Sequence, residues 1–318
     1  MYYDRSLSND FEKLFKEELS WLVPYVKSKD DLDILIGKNN NKEYCYVYRG
    51  LAKIVAIEKR ANNKYNVTAS DAYNKLGVDL YGDLDEGKFN ENSLEKLRQI
   101  VARNKNFDRY YNNRKEGYFQ NKIQRDNGIL ATRDTTLLIV DKEVVIGYKD
   151  TPEKEKVLGE AQKKYMACKK GLQENNHEKF GIPSKNMTGN ELDLLALDRS
   201  GRIYLMEVKY GGNTAGIYMS PFQIGLYKRL FKKIDIRENV KKLIEQKQRM
   251  GLLPKDWVVP DIKKGYVPEL IIGSYNPRSC GYPQRYKEVM DYIQKHDPEI
   301  YNEVCDIQVK DENLHPIG

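Results

Sequence analysis

Three polar side chains, Asp193, Glu207 and Lys209, stand near the ends of two otherwise apolar segments, residues 191–197 and 202–209. Buried charge is costly unless it is paired or bound to a metal, so polar residues confined to the ends of apolar strands indicate a shared site. Two carboxylates beside a lysine can bind Mg²⁺ or Mn²⁺ and act on a water that attacks a phosphate. The segment therefore predicts metal-assisted phosphodiester hydrolysis.

The spacing predicts a β-hairpin that brings these groups together. Residues two apart on a strand point to the same face, so Glu191 shares a face with Asp193, and Glu207 shares one with Lys209. The four residues 198–201 form a turn that makes the strands adjacent and antiparallel. An ordinary hairpin with a salt bridge fits the triplet alone, because such triplets are common.

A second pair of polar residues follows the hairpin. Gln223 and Tyr227 lie four residues apart on a predicted helix that we expect to begin at Ser220-Pro221. Residues at this spacing share one helix face, so both side chains can point toward the same site.

An Asp on one strand, Glu-x-Lys on the next and Gln-x-x-x-Tyr on the following helix together resemble the PD-(D/E)XK nuclease superfamily. The segments Gly-x-Glu-Leu-Asp-Leu-Leu-Ala and Leu-Met-Glu-Val-Lys are similar to those of its resolvase-like members. The resemblance covers about residues 115–275, and Leu192 stands where the family's literal Pro would precede the Asp. The run at residues 46–50 is similar to an uncharacterised bacterial branch.

The resemblance implies a nuclease that uses Mg²⁺ or Mn²⁺, with DNA as the expected substrate. Asp193 and Glu207 would ligate the metal, with support from Glu191 and the carbonyl of Val208, and Lys209 would act on the attacking water. Gln223 and Tyr227 would position the site and the nucleic acid. The family usually adds an upstream acidic residue, for which three candidates remain open: Glu143, which we include in the predicted metal set, Glu116 and Glu160.

The expected fold class is α/β. Residues 91–318 would form a restriction-endonuclease-like core, a mixed central sheet flanked by helices. Residues 1–90 would form a small N-terminal α+β domain containing a short antiparallel meander. A Gly- and Asp-rich stretch at residues 81–93 marks the predicted boundary. The role of the first domain is open, and a second copy or a complex partner could dock through it.

The formal net charge is +7, which is compatible with a polyanionic partner. The composition is also rich in Lys, Asn, Tyr and Ile, as AT-rich genomes tend to encode, so coding bias is an equal explanation of the sum. The position of the charge is more informative. Candidate nucleic-acid contacts follow the Gln-x-x-x-Tyr pair and precede the hairpin: Lys228, Arg229, Lys232, Lys233, Arg109 and Arg114.

Four scattered cysteines and three scattered histidines argue against a disulfide framework, a structural zinc site or a Cys-His nucleophile. No signal peptide and no membrane-length apolar run are visible, so we expect a cytoplasmic protein without a membrane partner. Two rivals to the nuclease stay open: a catalytically inactive nucleic-acid-binding protein, and a protein-interaction subunit of a defence or repair complex on the same fold.

Overall fold

The computed structural model describes residues 1–39, 42–59, 65–68, 95, 99, 111–183, 189, 191–276 and 282–317. The chain folds into two compact units. We call one the meander unit (Asp4–Leu138 with Asn239–Val259) and the other the hairpin unit (Met1–Tyr3, Ile139–Glu238 and Pro260–Gly318). The predicted domain boundary near residue 90 lies outside the described residues.

The meander unit is built around a four-stranded sheet in the order β1-β2-β3-β4, with antiparallel neighbours. This confirms the predicted antiparallel meander. The elements of the unit, in chain order, are α1 (Asn9–Lys16), α2 (Leu22–Lys27), β1 (Asp33–Asn39), β2 (Lys42–Arg49), β3 (Ala52–Lys59), β4 (Tyr65–Thr68) and α3 (Glu116–Gln124), which a π-helical turn continues to Ile129.

The core of the meander unit forms where the two N-terminal helices cover the sheet. Phe11 and Leu22 from the helices are fully buried in one apolar cluster with Ile36, Val47 and Ile57 from the strands. Ser8 caps α1 by accepting a hydrogen bond from the backbone N–H of Phe11, which fixes where that helix begins. Each fully buried side chain of this size contributes about 2 kcal/mol to stability.

The hairpin unit contains a five-stranded sheet in the order β5-β6-β7-β8-β9. Its elements are β5 (Leu137–Val145), α4 (Thr151–Lys154), a π-helical turn (Glu155–Gly159), α5 (Glu160–Asn175), α6 (His177–Phe180), β6 (Glu191–Asp198), β7 (Ile203–Tyr210), α7 (Thr214–Phe231), α8 (Arg237–Arg249), β8 (Tyr266–Gly273), α9 (Tyr282–His296), α10 (Pro298–Val304) and β9 (Gln308–Asp311). The first two residues of β5 and most of α8 belong to the meander unit.

The sheet of the hairpin unit is mixed. Strand β6 runs antiparallel to β7, whereas β7, β8 and β9 are mutually parallel. The connection from β7 to β8 contains α7 and α8. Helix α7 packs on both strands, and α5, α9 and α10 pack on α7. The expected α/β class with a mixed sheet and flanking helices is therefore confirmed.

Strand β7 lies in the middle of this sheet and is buried along nearly its whole length. On β6, Leu192, Leu194, Leu195, Ala196 and Leu197 are all fully buried. The sequence of a strand that is covered on both faces is a continuous apolar run rather than an alternation of apolar and polar residues. The polar residues of these two strands are consequently restricted to their ends, which is where the candidate site lies.

Candidate metal and nuclease site

The β6–β7 hairpin is set by its turn. The Asp198 carboxylate accepts hydrogen bonds from the backbone N–H groups of Ser200 and Arg202, each at 2.9 Å. Gly201 has a φ of +84°, a conformation that glycine adopts without steric cost. The turn fixes a register in which Leu197 pairs with Ile203 and Leu194 pairs with Met206.

This register brings the two predicted acidic ligands to one end of the hairpin. Asp193 comes just before Leu194, the first paired residue of β6, and Glu207 comes just after Met206, the partner of Leu194 on β7. The Oδ2 atom of Asp193 accepts a hydrogen bond of 2.7 Å from the backbone N–H of Val208. Asp193 is thus held against the β7 backbone beside Glu207.

Glu207 and Lys209 form a buried ion pair. The Nζ atom of Lys209 lies 2.5 Å from Oε1 of Glu207, with Glu207 fully buried and Lys209 only 8% exposed. A buried carboxylate is tolerated when a cation and hydrogen bonds compensate its desolvation. The two residues share one face of β7, as their spacing predicted.

Helix α7 supplies the second polar pair, although the predicted start of this helix is wrong. The helix begins at Thr214, capped by the side chain of Asn213, and Pro221 lies inside it. Proline breaks helices because it lacks an N–H and clashes with the preceding turn. Here the hydroxyl of Ser220 donates to the freed carbonyl of Ile217, at 2.8 Å, and the helix continues.

Gln223 and Tyr227 meet each other and the start of β6. The Gln223 amide donates to the Tyr227 hydroxyl at 2.8 Å, and that hydroxyl donates to the backbone carbonyl of Glu191. The helix is thereby tied to the strand that carries Asp193. Glu191 itself is exposed at the first position of β6, so its carbonyl and its side chain face different surroundings.

Three carboxylates affect the pKa of the buried Tyr227 hydroxyl. Burial raises the pKa of Tyr227, and the nearby carboxylate of Glu207 raises it further, as do those of Asp193 and Glu191, against the lowering effect of the Gln223 hydrogen bond. The hydroxyl therefore stays protonated and donates. All three carboxylates thus act on this one buried hydroxyl.

The donor set at this end of the hairpin is two carboxylates with a third nearby. No group of three or more His, Cys, Asp or Glu side chains in metal-binding geometry occurs within the described ranges. Magnesium commonly uses only one or two protein carboxylates and keeps several waters. Asp193 and Glu207 are therefore the residues that could hold a hard divalent cation whose remaining ligands are water or substrate, and their role, like that of the Val208 carbonyl, stays a prediction.

The three upstream acids fall in different places. Glu143 lies on β5, the strand next to β6, and has a φ of +48°. Glu160 is exposed at the first position of α5, and Glu116 belongs to the meander unit. Of the three, only Glu143 lies on a strand adjacent to the hairpin, and its membership of the metal set remains a prediction.

Strand β5 also carries a charged pair that the sequence reasoning missed. Asp141 is fully buried and its Oδ2 accepts a hydrogen bond of 2.9 Å from the Tyr3 hydroxyl, and Lys142 is also buried. Adjacent charged residues suggest a turn, but this pair is flanked by Leu138–Val140 and Val144. That flanking apolar run is the signal that could have identified a buried strand.

The basic residues after Tyr227 are largely engaged within the hairpin unit. Lys228 is buried and its Nζ contacts both carboxylate oxygens of Asp306, at 2.6 and 2.7 Å. Arg229 pairs with Glu299 on α10, and Lys232 pairs with Glu303 at 2.5 Å. Among the other candidates, Lys233 and Arg114 are exposed, and Arg109 lies outside the described residues.

Comparison of this chain with protein-family models, with curated proteins and with solved structures finds no match. In the part of the chain that the structure describes, every helix is either too short or too polar to cross a membrane.

Proposed function

We propose that this protein is a divalent-metal-dependent nuclease of the PD-(D/E)XK type whose substrate is DNA. One observation carries the proposal: Asp193, Glu207 and Lys209 converge at one end of the buried β6–β7 hairpin. A plain structural salt bridge needs only one acid and one base. The additional carboxylate of Asp193 and the polar Gln223–Tyr227 pair at the same place favour a chemical role.

The carboxylates of Asp193 and Glu207 are the groups that would hold Mg²⁺ or Mn²⁺, with Glu191 and Glu143 as supporting acids. When bound, the metal would supply charge neutralisation at the phosphate and a more acidic water. Both carboxylates are fixed before any ligand arrives, Asp193 by the β7 backbone and Glu207 by Lys209. Such preorganisation lowers the cost of assembling a reactive site.

Lys209 is the residue that would act directly on the nucleophile or on the developing phosphate charge. Its ammonium group is almost buried, so its electrostatic effect on a nearby anion is larger than it would be in water. Glu207 holds it in place. Gln223 and Tyr227 would act as positioning residues, because their hydrogen bonds fix the strand end that carries Asp193.

One observation favours the alternative function, that of a nucleic-acid-binding protein without catalytic activity. The structure brings two carboxylates together with a third nearby, yet no compact group of three potential ligands occurs in the described residues. A site that had lost an acidic ligand would keep the fold and the Glu207–Lys209 pair while losing catalysis. The experiment must therefore separate binding from cleavage.

The test is cleavage of single- and double-stranded DNA and RNA with Mg²⁺, with Mn²⁺ and with EDTA. Glu207→Gln and Lys209→Met should each lower the rate by at least about a hundredfold. Glu178→Gln is the matched control, because Glu178 is an exposed residue of α6 outside the site. Metal-independent cleavage, or equal rates for Glu207→Gln and the control, would reject the proposal. Gel shifts without cleavage in any metal would favour the binding protein.

A further inference from the structure

A second concave site lies at the opposite end of the strands of the same sheet. A cavity of about 370 Å³ is lined in part by Ile203, Ile234 and Tyr266, which we call its apolar floor, and the other lining residues are called its rim. Its rim carries five cationic side chains and a single carboxylate, that of Asp235: the cations are Lys232, Lys233, Arg237, Lys263 and Lys264. This volume lies within the range of small-molecule sites.

The cavity is separate from the candidate nuclease site. Ile203 and Tyr266 are the first residues of the parallel strands β7 and β8 and pair with each other, whereas Glu207 pairs with Leu270 farther along. Four residues of a parallel strand span roughly 13 Å at about 3.3 Å each. A ligand in this cavity would therefore bind at the amino ends of the strands, away from Glu207 and Lys209.

The charge of the rim is only partly compensated. Lys232 pairs with Glu303, and Arg237 pairs with Asp235, each at 2.5 Å. Lys263 and Lys264 are exposed, and the charge of Lys264 acts on the carboxylate of Asp235, which already pairs with Arg237. Lysines at the carboxyl end of α7 have a structural use, because they offset the helix dipole. The two lysines of the loop before β8 have no such use.

That loop is held firmly against the hairpin turn. The backbone N–H of Lys263 donates to the carbonyl of Gly201 at 2.8 Å. A Cβ atom on Gly201 would lie 1.9 Å from the carbonyl oxygen of Asp261, so only glycine allows this approach. The Tyr266 hydroxyl donates to the Ile234 carbonyl at 3.1 Å and its ring packs edge-on against Phe231. The Tyr266 ring and the backbone of the loop that carries Lys263 and Lys264 are thus held in place.

We propose that this cavity binds a phosphate-bearing anion of mononucleotide size, with Lys263 and Lys264 on the phosphate. Lys233 completes the cationic rim, and the apolar floor packs against the ring of the ligand. An excess of cationic side chains over one carboxylate favours an anion, and lysines bind phosphate as point charges. The phosphate can belong to a free nucleotide or to the end of a strand. The inference does not depend on the proposed nuclease activity.

Isothermal titration calorimetry tests the inference, and EDTA in the buffer prevents metal-dependent cleavage. The probes are adenosine monophosphate, inorganic phosphate, adenosine, and a pentanucleotide with or without a 5′-phosphate. The double variant Lys263→Ala/Lys264→Ala should weaken binding of the phosphate-bearing probes at least about tenfold. Lys156→Ala/Lys163→Ala, which removes two exposed lysines elsewhere in the hairpin unit, is the control of equal charge and should leave binding unchanged.

Binding of adenosine monophosphate and inorganic phosphate, but not adenosine, identifies a free phosphate compound as the ligand class. Binding of the 5′-phosphorylated pentanucleotide alone identifies a strand end. Equal affinity of the Lys263/Lys264 variant and wild type, equal affinity for adenosine and adenosine monophosphate, or no binding of any phosphate-bearing probe would overturn the inference. Glu207→Gln should bind inorganic phosphate and adenosine monophosphate as wild type does, which separates this cavity from the candidate nuclease site.

Discussion

The carboxylate of Asp193 on β6 accepts a hydrogen bond of 2.7 Å from the backbone N–H of Val208 on β7. An acidic residue that we propose as a metal ligand is thus also a link between the two strands of the hairpin. Its charge and its hydrogen bond are separate properties. Substitutions can remove one and keep the other.

Asp193→Asn should abolish cleavage and leave stability nearly unchanged. The amide oxygen of Asn can still accept from the Val208 N–H, but the side chain no longer carries the charge that a divalent cation requires. Asp193→Ala should lose both properties and lower the free energy of unfolding by about 1 kcal/mol. Urea denaturation beside the cleavage assay checks this pair. A destabilised Asn variant would mean that the charge itself holds the hairpin.

Lys209→Met should reduce both activity and stability, because it removes the cation that the fully buried carboxylate of Glu207 contacts. Breaking one side of a buried ion pair costs about 3 kcal/mol. The double variant Glu207→Gln/Lys209→Met removes the charge as well and should recover much of that loss. Denaturation midpoints of the wild type, both single variants and the double variant measure the coupling. Additive losses would contradict a buried pair.

Tyr227→Phe should loosen the start of β6. The Tyr227 hydroxyl accepts from Gln223 and donates to the Glu191 carbonyl, so its loss leaves two polar groups short of a partner, at a cost of about 1–2 kcal/mol. We expect a lower rate of cleavage with little change in affinity for DNA. Ile224→Val, which removes one methyl group elsewhere on α7, is the packing control and should keep the wild-type rate.

The hairpin could be predicted from sequence because its signals are local. Apolar runs of strand length, a turn of four residues and polar residues at the strand ends are all visible in residues 191–209. The antiparallel meander was predicted for the same reason. In each case the signals lie in one continuous stretch of the chain, strand by strand.

The features that were missed depend on distant parts of the chain. Pro221 signals a helix start, but α7 runs through it because packing against β7, β8 and three helices outweighs the local cost. The position of Lys228 after Tyr227 suggests that it contacts DNA. In the structure it instead pairs with Asp306, which lies far away in sequence. The cavity between β7, β8 and the end of α7 likewise has no local signature.

The hairpin should lose stability in acid, because Asp198 becomes protonated. Partial burial favours a raised pKa, but hydrogen bonds from Arg202, Ser200 and Tyr204 lower the pKa of Asp198 from its ordinary value of 3.8 to about 2. The ionised form therefore stabilises the folded state above pH 3.8, and this contribution is lost as the pH falls toward 2. The free energy of unfolding of Asp198→Asn should depend less on pH across this window than that of wild type. Parallel curves would contradict the assignment.

Gly201→Ala should lower both the stability of the hairpin and the affinity for phosphate. The added Cβ would collide with the carbonyl oxygen of Asp261, and φ is +84° at this position, so we expect a loss of about 2 kcal/mol in the free energy of unfolding. The collision moves the loop that carries Lys263 and Lys264. Phosphate binding should therefore weaken more than DNA cleavage does, because Asp193 and Glu207 lie at the far end of the hairpin. Gly159→Ala is the control, since a Cβ there meets nothing within 4 Å and helix propensity rises. If Gly201→Ala weakened cleavage more than phosphate binding, the turn would be shown to set the carboxylates rather than the lysine-bearing loop.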